Sequence, residues 1–402
     1  MSETALAPDA SGRLRTLLNR RTEANRQFFT REAERLARLC HLMAERFARG
    51  GRLIAFGRSP AARSDARHVA VEFVHPVIVG KRALPAIGLV GEGGELAAQA
   101  ELLTTPDDIA IAFGTDHDAG EAARALAVAR ARGCLTIAFS PAGGEYEFDP
   151  PTRDPFIRQE LVETLYHVLW ELVHVFFEHR GLLAGRDQRR VHDAGASSFL
   201  YPFLAELEQE LEPVVDDVRR SVLMKADEIG ALRTQTLSDN RDVLIAAAAA
   251  LRSSFDRSGK LLALGNGGSA TDAMDAVADF RTPHESLSPR PAIDLTEDPA
   301  ILTAIANDIG PDAIFSRQVI AYGAAGDALL ALSTSGNSRN VIEALAEARR
   351  RALVTIAMVG YDGGRVASEE LADHVVVTRS EHIPRIQEAQ ASAYHTLREL
   401  VP

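Results

Sequence analysis

The sequence predicts an α/β protein in which one fold occurs twice in tandem, each copy a mainly parallel five-stranded sheet flanked by helices. Short apolar runs alternate with segments of helical periodicity, which is typical of a parallel sheet covered on both faces. This order of segments then begins again after the middle of the chain. Residues also recur at fixed separations: Phe73 and Phe280 are 207 positions apart, and Tyr166 and Tyr394 are 228 apart.

The first copy is predicted to begin with a helix at 12–50, where Leu, Ala and Phe recur at helical spacing before Gly50-Gly51. Apolar runs predict four strands, and amphipathic spacing predicts three further helices. The strands are 52–57, 84–89, 107–114 and 134–140, and the helices are 62–73, 119–133 and 156 to about 179. The segment GGEYEFDPPTRDP before the last helix is predicted to be a loop.

The second copy is predicted to open with an acidic helical segment at about 203–257. Its strands are 260–265, 290–295, 327–333, 353–360 and 373–378, and its later helices are 269–280, 340–352 and Pro384 to the C-terminus. The two predicted domains are residues 1–190 and 203–402. They are joined near 185–202, where Gly, Ser, Asp and Arg cluster.

Composition limits the classes of function. At 402 residues the chain is long enough for two domains, and 46% apolar residues is ordinary for globular proteins. No apolar run approaches the roughly 20 residues of a membrane span and the N-terminus lacks a secretory pattern, so we expect a cytoplasmic protein with no membrane partner. The net charge of −12 argues against a nucleic-acid partner. Cys40 and Cys134 cannot form a disulfide framework and are predicted to be core residues.

A glycine-rich turn between a strand and a helix is the first candidate site. The sequence Gly265-Asn266-Gly267-Gly268-Ser269 follows an apolar run and precedes helical spacing. Glycine lets the backbone approach a ligand, and the free N–H groups at a helix start bind anions. Tight connections without a ligand and dinucleotide-binding folds show the same pattern, so it is not specific by itself.

A serine-rich turn is the second candidate site. The sequence LSTSGNS at 332–338 follows a strand and opens a helix. The hydroxyls of Ser333, Thr334, Ser335 and Ser338, with the amides of the helix start, are able to bind a phosphate without lysine or arginine, which suits an acidic protein. The alternative is an ordinary helix N-cap.

Acidic and histidine residues on two helices are the third candidate site. Asp275 and Asp279 are four apart and share a helix face, and Gln387 and His395 are eight apart on the last helix. Taken alone, each pair also fits a solvated acidic face or a packed histidine. The matched positions of the first copy carry residues of related type: His68, Glu72, Gln159 and His167.

Two kinds of chemistry fit this third site. A carboxylate and a histidine that meet at one ligand are what proton transfer beside a carbonyl requires. Histidine with carboxylate and amide oxygens also suits a divalent metal such as zinc.

The segments GNGGSATDAMDAVADF, LTAIANDIGPDAIFSRQV, LSTSGNSRNVIEALAEARRR and RIQEAQASAYHTLREL carry a resemblance to a known family. They resemble the phosphoheptose isomerases (sedoheptulose 7-phosphate isomerases) of the sugar-isomerase (SIS) domain group, over about residues 205–402. The first half resembles a diverged copy, so the chain is identified as a tandem SIS protein. The implied fold is a flavodoxin-like three-layer sandwich in each half.

The resemblance implies a role for each matched residue. Asp279 and His395 would be catalytic, with Glu72 and His167 as their first-half counterparts. The sugar phosphate would be bound by Asn266, Gly267, Gly268, Asn307, Asp308, Ser333, Thr334, Ser335, Ser338 and Gln387. Zinc or another divalent metal, and no nucleotide cofactor, would be held by His68, Glu72, Gln159 and His167 in the first half and, more weakly, by Asp275, Asp279, Gln387 and His395 in the second.

Each half departs from the family pattern in a different way. Family members carry glutamate at the position of Asp279 and histidine at the position of Asp275. In the first half the serine turn is replaced by Gly114-Thr115-Asp116-His117-Asp118, whose carboxylates would repel a phosphate dianion, and the glycine turn by Gly57-Arg58-Ser59-Pro60. The second half therefore keeps the phosphate-binding turn, and the first half keeps the better-matched proton-transfer and metal set.

The predicted function is isomerisation of a sugar phosphate, specifically of sedoheptulose 7-phosphate to D-glycero-D-manno-heptose 7-phosphate through a cis-enediol. Because such isomerases are tetramers with sites at subunit interfaces, we expect a homodimer that forms a pseudo-tetramer of SIS domains. Its sites either combine both halves or leave the first half as a scaffold. The rival functions are a non-catalytic SIS protein that binds another protein, as replication-initiation factors of this group do, and a regulator that senses a sugar phosphate.

Overall fold

The structure is a computed structural model that describes residues 10–77, 81–91, 94–114, 119–178, 183, 210–284 and 287–401. The predicted linker at 185–202, the domain boundaries at 190 and 203, and residues 115–118 of the first-half turn lie outside this part of the chain. Contacts divide the chain into two compact units. Unit 1 consists of Met1–Glu23, Asp154–Glu160 and Ile229–Pro402, and unit 2 of Ala24–Arg153 and Leu161–Glu228.

The first half of the sequence forms five helices and five strands in its described residues. They are α1 (Ala10–Ala48), β1 (Leu53–Phe56), α2 (Pro60–Val74), β2 (Ala86–Leu89), α3 (Leu96–Leu103), β3 (Ile109–Ala112), α4 (Ala119–Ala131), β4 (Leu135–Ala138), β5 (Tyr146–Glu147) and α5 (Pro155–Glu178). The strands pair in parallel in the order β2-β1-β3-β4-β5.

The second half repeats this arrangement. Its elements are α6 (Leu211–Asp239), α7 (Arg241–Asp256), β6 (Leu261–Leu264), α8 (Gly268–Arg281), β7 (Ala292–Asp294), α9 (Pro299–Asp308), a 3-10 helix (Pro311–Ala313), α10 (Ser316–Tyr322), β8 (Ala328–Ser333), α11 (Arg339–Arg350), β9 (Val354–Gly360), α12 (Gly364–Ser368), β10 (His374–Thr378) and α13 (Ile383–Leu400). The parallel order β7-β6-β8-β9-β10 is that of the first sheet. The predicted two copies of a parallel five-stranded sheet are therefore confirmed.

Alternating side chains place a helix layer on each face of the second sheet. In β6, Leu261 and Ala263 pack with α7, α8 and α13, whereas Leu262 and Leu264 pack with α10 and α11. All four residues are fully buried. Strands that are apolar on both faces are expected in a sheet covered on both sides, so the core explains the continuous apolar runs in the sequence.

An aspartate performs the same structural task in both copies. Asp108 accepts hydrogen bonds from the backbone N–H of Arg52 at 2.8 Å and from its guanidinium at 2.8 Å. Asp327 accepts them from the backbone N–H of Lys260 at 2.9 Å and from its ammonium at 2.6 Å. In each sheet this carboxylate links the starts of the two central strands, which supports the tandem repeat independently of the candidate site.

Two local features differ from the sequence expectation. The acidic helical segment is two helices rather than one, because the chain breaks at Asn240, whose amide bonds both the carbonyl and the N–H of Val377 on β10. The segment predicted as a loop before α5 contains the short edge strand β5. No helix in the described ranges combines the length and apolarity needed to cross a bilayer.

Candidate active site

The glycine turn and the serine turn lie at the same edge of the second sheet. They follow β6 and β8, which are adjacent parallel strands, and the strand order reverses at this pair. Open parallel sheets bind ligands at such a switch point, outside the carboxyl ends of the strands. Asn266 of the glycine turn and Asn340 at the start of α11 exchange two amide hydrogen bonds, of 3.0 and 2.9 Å, which join the two turns.

The serine turn is stabilised by its own side chains. The Ser333 hydroxyl accepts a hydrogen bond from the N–H of Gly336 at 3.1 Å, and the Ser335 hydroxyl accepts one from the N–H of Asn337 at 3.2 Å. Gly336 has φ +61°, and a Cβ there would lie 2.2 Å from the Gly363 carbonyl oxygen, so only glycine fits.

The alternative interpretation of the turn as an N-cap is weakened at its last residue. Ser338 is the residue that precedes α11, yet its side chain makes no capping hydrogen bond within the described chain. The hydroxyls of Thr334 and Ser338 lie on half-buried residues of the turn.

An open cleft of about 710 Å³ adjoins the serine turn. Among the lining residues that the sequence did not indicate is Arg379, which lies between β10 and α13 and brings a positive charge to the same cleft as Ser335. The signal was available, since Arg379 follows the carboxyl end of a strand in the same sheet. Residues that line the cleft include Ser335, Asn337, Tyr361, Asp362, Arg379 and Glu381.

Asp275, Asp279 and His395 meet in unit 1, and we call them the second-half centre. His395 Nε2 lies 3.3 Å from Asp275 Oδ2 and 3.4 Å from Asp279 Oδ2. The Tyr394 hydroxyl donates to Asp275 Oδ2 at 2.9 Å. His395 and Asp275 are buried, and the side chain of Asp279 keeps 16% exposure. The structure thus brings together the acids of α8 and the histidine of α13, as the sequence predicted.

Glu160, which was not among the residues predicted from sequence, holds the other nitrogen of His395. Glu160 Oε1 lies 3.0 Å from His395 Nδ1, so Nδ1–H donates to the carboxylate. Arg21 binds the same carboxylate through Nε at 2.9 Å, and the Ser392 hydroxyl donates to it at 2.6 Å. A repeat signal existed, because Gln159-Glu160 recurs as Gln387-Glu388.

The charges of the second-half centre are strongly coupled. Burial alone would lower the pKa of His395, but its hydrogen bonds to Asp275 and Glu160 outweigh burial and raise that pKa well above its usual value. Burial, together with the charge of Asp275, raises the pKa of Asp279. Burial also acts to raise the pKa of Glu160, but the charge of Arg21 and the hydrogen bond from His395 lower it to about 2. Glu160 is therefore a carboxylate at neutral pH.

The second-half centre has the donors and the spacing that a divalent cation requires. A tetrahedral zinc site has ligand atoms about 3.3–3.4 Å apart, from metal–ligand distances of about 2.0–2.1 Å. The nitrogen–oxygen distances of 3.3 and 3.4 Å match this spacing. Asp275 Oδ1 and Asp279 Oδ2 are buried and accept no hydrogen bond from any described residue. Protonated His395 is one positive partner for these buried carboxylates, and a divalent cation bound in place of its Nε2 proton would be another, so these residues fit zinc.

A related cluster lies in unit 2, and we call it the first-half centre: His68, Glu72, Glu163 and His167. His68 Nε2 and His167 Nε2 are 3.3 Å apart, and Glu72 Oε1 is 3.8 Å from His68 Nε2. One ligand atom each of His68, Glu163 and His167 lies within 4.8 Å of the others. Glu163 was missed, although it precedes His167 by one helical turn; its counterpart in the repeat is Ala391.

Gln387 and Gln159 are the two glutamines of the predicted metal sets. Gln387 is buried on α13, eight residues or about 12 Å of helix from His395. Gln159 is half-buried on α5 and belongs to unit 1, whereas His68, Glu72 and His167 belong to unit 2.

The Asn307-Asp308 pair lies at the exposed end of α9. Its two side chains share a 2.8 Å hydrogen bond. Gly267 lies in the turn after β6 and has φ +59°, and Gly268 is the first residue of α8.

Comparisons with known proteins show the family of the chain. The fold and its turns define a SIS-domain protein: the family model described as SIS domain matches residues 226–360. The chain is 44% identical over 174 residues to a phosphoheptose isomerase of Chlorobium phaeobacteroides, covering 42% of this chain and 76% of that one. It is 39% identical over 189 residues to that of Nitratidesulfovibrio vulgaris, covering 46% and 89%. The chain belongs to the phosphoheptose isomerase family.

The likeness of fold extends through both halves. The C-terminal domain of glucosamine-fructose-6-phosphate aminotransferase from Francisella tularensis superposes with a TM-score of 0.58 at 9% identity, covering 100% of this chain and 97% of that one. At this identity the comparison shows the fold alone. Together with the repeated sheet, it shows that the two halves of the chain share one fold.

Proposed function

We propose that this protein isomerises a ketose phosphate to an aldose phosphate, specifically sedoheptulose 7-phosphate to D-glycero-D-manno-heptose 7-phosphate. The observation that carries the proposal is the 3.4 Å distance between Asp279 Oδ2 and His395 Nε2. Asp279 lies on α8, the helix that follows the glycine turn, and His395 lies on α13. A carboxylate and an imidazole at this distance are able to serve adjacent carbon and oxygen atoms of one substrate. The named family supports the class of reaction.

The residues divide the proton transfers between them. Asp279 removes the proton from C1 of the ketose and returns it to C2, which gives the aldose through a cis-enediol. His395 moves a proton between the oxygens on C1 and C2 through Nε2. Glu160 fixes the ring by accepting from Nδ1–H, so that Nε2 alone faces the substrate side. Atoms and electrons balance, because the substrate and the product are isomers.

The phosphate is proposed to bind at the serine turn, through Ser333, Thr334, Ser335 and Ser338. The position of the turn before α11 and the charge of Arg379 in the adjoining cleft support this assignment. The sugar hydroxyls would be bound by Asn266, Gly267, Gly268, Gln387 and the Asn307-Asp308 pair, as the family resemblance implies.

A divalent metal such as zinc is proposed as the cofactor of the second-half centre. Asp275, Asp279 and His395 would hold it, with Gln387 as the further ligand that the resemblance implies. When bound, it would occupy His395 Nε2 and would polarise the substrate carbonyl in place of proton transfer through that nitrogen. The homodimeric pseudo-tetramer also stays a prediction, which light scattering of the purified protein tests.

The decisive assay follows aldose formation from sedoheptulose 7-phosphate by the purified protein in deuterated water. We expect an aldose product that carries deuterium at C2, because Asp279 exchanges its proton with solvent. Activity is expected to fall after chelator treatment and to return with zinc. Fructose 6-phosphate serves as the control for chain length. Absence of any isomerised product from metal-loaded, folded protein would reject an isomerase and leave a non-catalytic SIS protein.

A further inference from the structure

The last turn of α8, which carries Asp279, contains a backbone carbonyl that has no helical donor. In an α-helix the carbonyl of Asp279 would accept a hydrogen bond from the N–H of the residue four positions later. That residue is Pro283, which has no N–H, whereas the preceding carbonyl, of Ala278, accepts from the N–H of Thr282 at 2.8 Å. The helix end therefore needs a donor from another element at the residue proposed as the catalytic base.

Arg398 on α13 supplies this donor. Its Nε donates to the Asp279 carbonyl oxygen at 2.9 Å, and its guanidinium lies over the Phe280 ring, 4.9 Å from the centroid. The two Nη groups donate to the carbonyl of Ser288 at 2.7 Å and to that of Val401. Arg398 is 0% exposed. Because a planar guanidinium offers several donors in a fixed geometry, this one side chain holds the end of α8, the segment that follows it and residue 401.

The first half of the chain lacks this arrangement. At the separations of 207 and 228 that relate the two copies, Pro283 matches Pro76, but Arg398 matches Trp170. The indole N–H of Trp170 makes no hydrogen bond with any described residue, so it does not serve the helix end there. An aromatic ring thus meets the packing needs of this position, and the arginine occurs in the half whose acid is the shorter aspartate.

The length of the acid explains why the backbone matters at this position. Aspartate is one methylene shorter than Glu72 at the matched position, so the Asp279 carboxylate depends more closely on where the helix end lies. A misplacement of about 1 Å can cost a factor of about 100 in rate.

We propose that Arg398 is a positioning residue, which holds the last turn of α8 so that Asp279 Oδ2 faces His395 Nε2. The kinetic test of this inference rests on the proposed function, to which it adds a buried residue outside the predicted site. The alternative is that Arg398 only stabilises the fold.

The test removes the donor and then restores one by another route. Arg398→Met keeps an unbranched side chain of similar length but leaves the Asp279 carbonyl without a donor. We expect kcat for sedoheptulose 7-phosphate to fall by about 10- to 100-fold, with KM changed by less than about 2-fold. Adding Pro283→Ala supplies a backbone N–H to the same carbonyl and should recover most of the lost kcat, whereas Pro283→Ala alone should change kcat little.

A matched control is Arg252→Met. Arg252 Nη1 donates to the carbonyl of Leu400 at 3.3 Å, so this variant removes a guanidinium–carbonyl bond beside Val401 but not the bond to Asp279. It is expected to keep kcat even if stability falls. Equal kcat for Arg398→Met and wild type, or no recovery with Pro283→Ala, would overturn the inference.

Arg398→Lys takes the place of Arg398→Met if the methionine variant does not fold. Lysine keeps the charge but lacks the planar fork that reaches three carbonyls, so a smaller fall in kcat is expected. A lysine variant with the kcat of wild type would overturn the inference.

Hydrogen exchange over residues 276–284, measured by mass spectrometry, tests the positioning without turnover. Arg398→Met should exchange faster there than wild type and Arg252→Met, and adding Pro283→Ala should slow this exchange again. Unchanged exchange would overturn the inference even if the protein is not an isomerase. Faster exchange in Arg398→Met, together with no turnover by wild type, would reject only the proposed function.

Discussion

Glu160 Oε1 and His395 Nδ1 are 3.0 Å apart although 235 positions separate them in the sequence. A residue near the start of α5 therefore orients the histidine near the end of α13, and both belong to unit 1. At metal-binding or acid–base histidines, a carboxylate commonly accepts a hydrogen bond from the ring nitrogen that does not face the metal or the substrate. The second-half centre thus depends on the first half of the sequence.

Replacing Glu160 with glutamine is expected to lower kcat by about 10- to 100-fold and to weaken metal binding, with little change in KM. Glutamine keeps the shape of the side chain but loses the charge that holds Nδ1–H. Steady-state kinetics and zinc titration of the purified variant check this expectation.

The control for this variant is Glu399→Gln. Glu399 accepts a hydrogen bond of 2.8 Å from Nη2 of the same Arg21 guanidinium. Within the described part of the chain it makes no hydrogen bond to His395. It is expected to lose stability through Arg21 and to keep kcat. Equal effects of the two variants on kcat would show that Glu160 acts through Arg21 and the fold, not through the histidine.

Replacing Arg379 with glutamine is expected to raise KM for a sugar phosphate by about 10-fold, because a charge-assisted contact to phosphate is lost. The change in kcat should be small, since Arg379 lines the cleft beside Ser335 rather than the second-half centre. Arg365→Gln is the matched control, because this exposed arginine pairs with Glu369. A KM for Arg379→Gln equal to that of the control would place the phosphate elsewhere.

Acid is expected to weaken unit 2 through Asp108. Burial would raise the pKa of Asp108, but its hydrogen bonds from Arg52 and Thr105 outweigh burial and lower that pKa below its usual value. A depressed carboxyl pKa gives stability that is complete above the unfolded pKa of about 3.9 and is lost as pH falls through the lower folded value. Wild-type protein should therefore lose stability below about pH 4.

The Asp108→Asn variant tests this titration. It is expected to be about 1–3 kcal/mol less stable at pH 7, because a charged acceptor of several hydrogen bonds is gone. It should lose less stability than wild type between pH 5 and pH 3, as measured by urea unfolding at each pH. Parallel pH curves for the two proteins would assign the acid sensitivity to other groups.

Much of the fold was predictable because it depends on local pattern. Apolar runs located β1 and β6, and helical spacing located α2 and α8, since core strands are apolar on both faces. The short helices α3, α9, α10 and α12 and the strand β5 were missed, because five to ten residues give little periodicity and a two-residue strand gives none.

The candidate site was predictable only where the repeat or the family pattern marked it. The matched positions led to Asp275, His395, His68 and His167, and the structure brings each acid–histidine or histidine–histidine pair within 3.3 Å. Glu163 and Arg379 have no counterpart that the repeat analysis used, and their roles depend on tertiary contacts. Neither the repeat nor the family pattern therefore identified these two residues.

The most direct measurement is the turnover of sedoheptulose 7-phosphate by wild type and by Asp279→Asn under the same metal loading. The account predicts aldose formation by wild type and a kcat lower by about 100- to 10,000-fold for the variant, since asparagine cannot accept the proton from carbon. Asp279→Glu, which restores the family's residue, should remain active. A folded Asp279→Asn protein that turns over as fast as wild type would contradict the account.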